Sequence, residues 1–254
     1  IWFARNYRTT VANTLLLDGY RHGRTIFIGD SAHIVPIFGV RGFNNGVLDG
    51  VNIGWKLAWH LAGKAEEAIL DSYDHERRRA TLDVIEKSEK STQFMTPRTR
   101  GLAIMRDAAL SLALDFPFAS QFANPRNMTP YEYHDSPLTL PDAEAWDAGP
   151  PPGAAAPDAR LDGAFLMDGF SPGFTVLAFG DVPGTGLLEE HDLATVLRLP
   201  PVGEAADVYG AGDGDAVLVR PDRFIAARWH RANGAAIRSA ITRICAGGLQ
   251  EDGE

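Results

Sequence analysis

Cysteine is almost absent from this sequence, because Cys245 is the one cysteine among 254 residues. An internal disulfide is therefore excluded, and the composition is typical of a reducing compartment, so we expect a cytoplasmic location. No run of residues approaches the roughly 18 consecutive apolar residues that cross a bilayer, and no secretory signal is recognisable. No membrane partner is predicted.

Positive charge is also scarce. The chain has 24 Lys and Arg against 33 Asp and Glu, which gives a formal net charge of -9. General nucleic-acid binding needs a basic face that neutralises phosphate, so no nucleic-acid partner is expected. The seven histidines lack the pairing typical of zinc ligands, and no metal site is predicted.

One segment joins an apolar strand to a helix through a turn rich in glycine. Residues 25–28 (TIFI) predict a buried strand, and Gly29-Asp30 places a carboxylate at its carboxyl end, where α/β proteins bind ligands. Glycines at 39, 42 and 46 permit close approach of a ligand to the backbone. The following helix directs its N–H groups into the turn, which predicts a cofactor site.

That helix is predicted from about Asn44 to Leu61. Small residues recur every four positions and predict a surface for close backbone packing, at Gly46, Gly50, Gly54 and Ala58. An adjacent apolar stripe is predicted to face a core, at Val47, Val51, Trp55 and Trp59. Two further helices are predicted, over residues 66–94 and 102–114.

Proline and small residues then dominate, so we predict an extended linker over residues 125–157. It separates a first domain, 1–124, from a second, 158–254. In the second domain strands are predicted over residues 174–179 and 195–199. A hairpin is predicted from 216–220 and 224–229, followed by a helix over 233–245.

The motifs GDSAHIVP, GVRGFNNG, LDGVNIGWKLAW and ILDSYDHERRR, between residues 29 and 79, resemble one family closely. They are similar to the second flavin motif of the FAD-dependent aromatic hydroxylases, the group A flavoprotein monooxygenases. The resemblance implies an α/β fold. The chain is expected to be the C-terminal portion of an FAD and substrate domain like that of para-hydroxybenzoate hydroxylase, followed by a thioredoxin-like α/β domain.

The same resemblance implies site residues. Asp30 would bond ribityl or ribose hydroxyls of FAD, the N–H groups of Phe43 and Asn44 would face the flavin pyrimidine carbonyl, and Arg41 would add positive charge there. A wall between substrate and flavin is expected from Pro36, Ile37 and Arg41. The full set of expected cofactor-binding residues is Gly29, Asp30, Pro36, Gly39, Arg41, Gly42, Phe43, Asn44 and Asn45.

The implied reaction hydroxylates a phenolic ring. NAD(P)H would reduce FAD, dioxygen would add to the reduced flavin, and the hydroperoxide would deliver oxygen to the aromatic substrate. No residue of this chain is assigned as catalytic with certainty. Two other functions stay open: a flavoprotein of the same fold acting on a non-aromatic substrate, as a reductase or halogenase, and a non-catalytic fragment that mediates association.

Members of this family begin with a βαβ unit that carries Gly-x-Gly-x-x-Gly for the FAD pyrophosphate. No such motif follows a strand near Ile1, so the N-terminal part of the same enzyme is an expected partner. This chain alone is expected to be inactive. The thioredoxin-like domain has no Cys-x-x-Cys, which excludes disulfide exchange and favours a role in packing or homodimer contacts.

Two groups of side chains have weaker signals. His33 adjoins the flavin turn and could act as a base, but a structural hydrogen bond is favoured because apolar residues flank it. The run Arg77-Arg78-Arg79 is predicted to be a solvated helix face rather than an anion site.

Overall fold

Helices and strands are mixed along the chain. The structure is a computed structural model that describes residues 14–36, 41–123, 130–161 and 163–248. The predicted α/β class is confirmed. The chain divides into two compact units, the first made of Ile1–Gly50 with Arg77–Thr129 and the second of Val51–Glu76 with Pro130–Glu254. Among the helices described, none combines the length and the apolar character needed to cross a membrane.

The strands described in unit 1 are each two residues long. β1 (Leu15–Leu16) pairs antiparallel with β4 (His33–Ile34), and β2 (Arg21–His22) pairs antiparallel with β3 (Thr25–Ile26). The prediction of a buried strand over 25–28 is therefore wrong in two respects. The strand ends at Ile26, and Ile28 is 45% exposed. The reason is that β3 has β2 as its one described neighbour, so no described sheet covers these side chains.

Four α-helices follow among the described residues up to 123. They are α1 (Gly42–Leu61), α2 (Asp71–Met95), α3 (Arg100–Asp115) and the short α4 (Ser120–Ala123). The three predicted helices are present, and a 3-10 turn over Glu67–Leu70 occupies the predicted start of the second. α1 and α2 cross the division between the units.

α3 has no buried side chain. Its N-cap is Thr99, whose side chain accepts a hydrogen bond from the Leu102 N–H at 3.3 Å. Apolar side chains on α3 are exposed, among them Ile104 at 59% and Leu114 at 87%. In the described structure this helix therefore depends on local interactions more than on packing.

Unit 2 is built on a four-stranded mixed sheet in the order β10-β9-β7-β8. Its strands are β7 (Phe174–Phe179), β8 (Ala194–Leu199), β9 (Ala216–Val219) and β10 (Ile225–Trp229). β7 is parallel to β8, with Val176 opposite Val196, whereas β9 is antiparallel to both β7 and β10. A hairpin of two short strands precedes the sheet. In it, β5 (Arg160–Leu161) pairs antiparallel with β6 (Ala164–Phe165).

Three helices accompany this sheet: α5 (Gly186–Glu190), α6 (Glu204–Tyr209) and α7 (Gly234–Cys245). The predicted strands and final helix are all present. Asn233 caps α7 by accepting the Ala236 N–H at 2.9 Å. Cys245, the last residue of α7, is half-buried, and burial raises the pKa of its thiol to about 11.

Every side chain of β7 is buried. The rings of Trp55 and Trp59 meet Phe174 edge-on, at centroid distances of 5.8 and 5.1 Å. The prediction that Val47 and Val51 share this buried stripe is wrong, because they are 47% and 46% exposed. Spacing shows which side chains share a helix face, but it does not show how far along the helix that face is covered.

The proline-rich segment from residue 130 onward packs into unit 2. Tyr133 and Leu138 are buried, and the Ala156 N–H donates to the Arg223 carbonyl at 2.8 Å. The Gly153 N–H donates to the Ile225 carbonyl at 2.8 Å, and the Ile225 N–H donates to the Ala154 carbonyl at 2.9 Å. The composition indicated an extended connection, but the apolar residues between the prolines bury themselves beside β10.

A cluster of charges is fully buried in unit 2. The Glu76 carboxylate accepts two hydrogen bonds from Arg220, at 2.5 and 2.9 Å, and one from Lys56 at 2.7 Å. Arg220 also donates to Asp222 at 2.6 and 2.9 Å. Asn52 donates to Glu76 at 2.7 Å and to Asp222 at 3.1 Å. Two cations thus face two anions, which limits the cost of removing them from water.

Burial and pairing act in opposite directions on these groups. Burial disfavours the charged form of Glu76, but Arg220 and Lys56 outweigh it and hold the pKa of Glu76 well below its usual 4.5. Burial lowers the pKa of Lys56 to about 8, although Glu76 acts in the other direction. Glu76 is therefore held in its charged form, whereas burial makes Lys56 easier to deprotonate.

Glu76→Gln is expected to lower the free energy of unfolding by about 3 to 5 kcal/mol, because Arg220 and Lys56 lose their shared counter-charge. Urea denaturation followed by tryptophan fluorescence would measure this. Because the folded-state pKa lies below 4.5, wild-type stability should fall as the pH drops below 4.5, and less steeply in the variant. Glu86→Gln, at an exposed position of α2, is the control. Equal stability of the two variants would contradict the expectation.

Candidate functional site

The turn after β3 presents a carboxylate to solvent. Gly29 has a φ of +56°, in the left-handed region that favours glycine, and it begins a 3-10 turn over Gly29–Ser31. Ser31 holds the turn, because its hydroxyl accepts the Ile28 N–H at 3.2 Å and donates to the Ile28 carbonyl at 2.8 Å. Asp30 is exposed and makes no hydrogen bond to another described residue. Its carboxylate is available to a ligand.

The N-terminus of α1 lies in the same unit. α1 begins at Gly42, two residues before the predicted start, and its first turn contains no acidic residue. The Asn45 N–H donates to the Arg41 carbonyl at 2.8 Å, whereas the N–H groups of Gly42, Phe43 and Asn44 have no partner inside the helix. These groups and the helix dipole favour negative charge at this end.

Arg41 and Phe43 flank this helix start. Arg41 is half-buried, and burial lowers the pKa of its guanidinium. Phe43 is 82% exposed, and Asn44 is also exposed. Pro36 is buried. The predicted site residues Ile37 and Gly39 lie outside the described residues.

Two glycines bring the turn and the helix into backbone contact. A Cβ on Gly46 would lie 3.2 Å from the Gly29 Cα, closer than ordinary van der Waals contact. The predicted small-residue stripe thus packs closely at Gly46. It does not at Gly50 and Gly54, where a Cβ would meet no described heavy atom within 4 Å. Helical spacing identified the stripe, but the approaching backbone is a single turn and reaches one glycine.

A buried carboxylate accepts a hydrogen bond from the backbone of the Gly29 turn. Asp49, in the third turn of α1, is fully buried and accepts the Gly29 N–H at 2.9 Å. The same residue accepts from His33 Nε2 at 2.7 Å and from Arg77 Nε at 2.8 Å. Burial disfavours the charged form, but the hydrogen bonds from His33 and Arg77 outweigh it and lower the pKa of Asp49. Asp49 is therefore an ionised, fully bonded group.

Asn45 and Arg77 belong to this buried network. Arg77 Nη2 donates to the Asn45 side-chain oxygen at 2.6 Å and to its carbonyl at 3.2 Å. The Asn45 amide donates to Thr81 at 2.9 Å. Asn45, predicted to bind the cofactor directly, therefore points into the protein. The prediction of a solvated face is wrong for Arg77, which is 1% exposed.

Sequence reasoning missed Asp49 and Arg77 as contributors to the site. One signal was present: Asn45 and Asp49 are four residues apart, so they lie on the same face of α1. A charged residue on an otherwise apolar face needs a buried counter-charge. The sequence does not show which of the arginines on α2 supplies it.

His33 has a structural position. It is 2% exposed, and Nε2 lies 2.7 Å from the Asp49 carboxylate, which accepts a hydrogen bond from it. Nδ1 is also buried and has no partner among the described residues. Neither nitrogen can reach a substrate, so the structure favours the structural role over a base. Among the residues described, no group of three or more His, Cys, Asp or Glu side chains could hold a metal ion.

Comparison with known proteins shows which kind of protein this chain resembles. Residues 4–88 match the model of an FAD binding domain. The chain is 30% identical to a 3-(3-hydroxy-phenyl)propionate/3-hydroxycinnamic acid hydroxylase of Mycolicibacterium vanbaalenii, over 87% of this chain and 44% of the relative. A hydroxylase of the same name from Escherichia coli O139:H28 is 26% identical over 87% of this chain and 45% of its own length. The chain is a relative of the FAD-dependent aromatic hydroxylases.

Solved structures of flavin enzymes have a fold similar to that of this chain. The rebeccamycin biosynthetic enzyme RebC with reduced flavin superimposes with a TM-score of 0.72 and 25% identity, covering 92% of this chain and 47% of RebC. The flavin-dependent monooxygenase PieE, in complex with FAD and substrate, has a TM-score of 0.72 and 21% identity, covering 93% and 50%. The chain spans less than half the length of the curated hydroxylases that it matches.

The described residues fit FAD, the cofactor of these hydroxylases. The exposed Asp30 carboxylate suits the hydroxyl donors of the ribityl and ribose groups. The α1 N-terminus, with three N–H groups and no acidic residue in its first turn, suits the carbonyl edge of the flavin. Gly46 leaves room for the turn to lie against this helix.

Gly46→Ala and Gly50→Ala form a matched pair in α1. Gly50→Ala should raise the free energy of unfolding by up to about 1 kcal/mol, because alanine is the better helix former and the space is open. Gly46→Ala should not show this gain, because its methyl group pushes against Gly29. Thermal unfolding would measure the difference, and amide hydrogen exchange should be faster at Gly29 in Gly46→Ala alone. An equal gain in both variants would count against the close contact.

Proposed function

We propose that this chain forms one side of the FAD site of a monooxygenase that hydroxylates a phenolic ring. The observation that carries the proposal is the exposed Asp30 carboxylate on a turn packed against α1, whose N-terminus has no acidic residue, within the residues that match an FAD binding domain. The curated relatives are named as hydroxylases of 3-(3-hydroxyphenyl)propionate and 3-hydroxycinnamic acid, which supports a phenolic substrate class.

FAD would supply the redox chemistry of the hydroxylation, with electrons from NAD(P)H and the oxygen atom from dioxygen. The protein's part is electrostatic and geometric. Asp30 would accept hydrogen bonds from cofactor hydroxyls. The N-terminus of α1, with the charge of Arg41, would stabilise negative charge on the flavin edge. Pro36 and Arg41 would form part of the wall that keeps water from the reacting ring.

A separate Gly-x-Gly-x-x-Gly unit, in an N-terminal partner segment of the same enzyme, would hold the pyrophosphate of FAD. The N–H groups at the start of α1 serve the flavin end, and one helix N-terminus cannot also hold the pyrophosphate. The larger size of the relatives supports this division of the site.

We also infer that residues 158–254 form a thioredoxin-like domain, preceded by the segment 125–157 and by the flavin-binding part, 1–124. The strand order β10-β9-β7-β8, with β9 antiparallel to its neighbours, supports this fold. The Gly180–Gly184 turn after β7 has no cysteine, and Cys245 lies at the end of α7. The domain's role is therefore packing and association rather than disulfide exchange.

In the enzyme that contains this chain, Asp30→Asn is expected to weaken FAD binding by about ten- to a hundredfold. The lost interaction is a charge-assisted hydrogen bond, which contributes about 1.5 to 3 kcal/mol. Flavin fluorescence titration would give the Kd. Glu86→Gln, which removes an exposed carboxylate from α2, should leave it unchanged. Wild-type affinity in Asp30→Asn would refute the assigned contact.

Labelled dioxygen separates the proposed reaction from its rivals. A monooxygenase is expected to place one labelled oxygen atom in the phenolic product for each NAD(P)H consumed. If no product contains labelled oxygen and NAD(P)H transfers its electrons to another acceptor, the enzyme is a reductase. A chlorinated or brominated product would indicate a halogenase.

A further inference from the structure

One buried carboxylate contacts three separate segments of unit 1. Asp49 Oδ2 accepts the Gly29 N–H at 2.9 Å and His33 Nε2 at 2.7 Å, and Oδ1 accepts Arg77 Nε at 2.8 Å. The donors come from the flavin turn, from β4 and from α2. Because the three directions differ, the carboxylate cannot move toward one donor without lengthening the bond to another.

The network continues to the start of α1. Arg77 reaches from Asp49 to Asn45, where it donates to the side-chain oxygen at 2.6 Å and to the carbonyl at 3.2 Å. Asn45 is the fourth residue of α1, and Thr81 holds its amide at 2.9 Å. The first turn of α1 and the Gly29 turn are therefore both connected to the same carboxylate.

The contact at Gly29 has the most direct bearing on the cofactor. Gly29 immediately precedes Asp30, so a shift of the Gly29 amide moves the Asp30 backbone with it. A misplacement of about 1 Å in a binding or catalytic group can cost a hundredfold in function. Asp49 itself is fully buried, so it cannot touch a ligand.

We propose that Asp49 is a positioning residue for FAD: it holds the Gly29 amide and thereby sets where the Asp30 carboxylate stands relative to the N-terminus of α1. The inference rests on the proposed function. It assigns to Asp49 an effect on cofactor affinity that passes through Asp30, beyond any contribution to stability. His33 and Arg77 support it by fixing the Asp49 carboxylate.

A double-mutant cycle tests the coupling. FAD dissociation constants would be measured in the enzyme that contains this chain, for wild type, Asp30→Asn, Asp49→Asn and the double variant, with Asp107→Asn, at an exposed position of α3, as the control. Asn keeps the size of Asp49 but removes its charge and replaces one acceptor with a donor. Asp49→Asn is expected to weaken FAD binding about tenfold or more, and the double variant should bind no more weakly than Asp30→Asn alone.

The outcomes separate the two hypotheses. If Asp30→Asn weakens binding and Asp49→Asn does not, or if the two effects multiply, the positioning role is overturned while the Asp30 contact stands. If Asp30→Asn has no effect, the proposed contact fails and the positioning role fails with it. Faster hydrogen exchange at the Gly29 amide in Asp49→Asn, with the β7 amides unchanged, is expected if the turn has been released.

A milder variant keeps the test valid should Asp49→Asn fail to fold. His33→Phe keeps a ring but removes the donor to Asp49, and it leaves Asp49 charged and paired with Arg77. It should weaken FAD binding less than Asp49→Asn does. In the Asp30→Asn background it should cause no further weakening. An equal weakening in both backgrounds would overturn the proposal.

Discussion

Both units depend on the requirement that a charge removed from water must find a partner. α1 carries an acid, Asp49, and a base, Lys56, and both are fully buried. Within unit 1 Asp49 is paired with Arg77, and within unit 2 Lys56 is paired with Glu76. Each pair is completed by amide or hydroxyl donors, because an ion pair alone leaves lone pairs and protons without partners. The geometry of each unit follows from where those partners can reach.

In unit 1 this requirement leaves the ligand-facing groups at the surface. The buried side chains of Asp49, Arg77 and Asn45 are bonded to one another. Asp30 is exposed, and the first N–H groups of α1 have no partner inside the helix. A rigid buried layer beneath an exposed layer is what a binding site needs, since the exposed groups can then meet a ligand without reorganising. The network does no chemistry, but it determines where the exposed groups are.

The sequence predicted much of the fold and indicated which turn to consider as the candidate site. Strong local patterns, such as the apolar run of β7 and the capped helix α7, determine their own structure, and the flavin motif identified the Gly29 turn. It failed where an outcome depends on distant residues. Val51 has the pattern of a core residue but is exposed, and Arg77 lies in a run typical of solvated helices but is buried. Periodicity cannot show where a covering layer ends, and spacing within α1 cannot show that the Asn45 side chain bonds to Arg77 and Thr81, 32 and 36 residues away.

α3 differs from every element held by these networks. This 16-residue helix has an N-cap at Thr99 and no buried side chain. Its stability is therefore close to that of an isolated helical peptide of the same length. Local opening of such a helix costs far less free energy than opening β7, all of whose side chains are buried. The chain thus spans a gradient of local stability, from an outer helix that can unfold by itself to a sheet that opens only when its whole unit does.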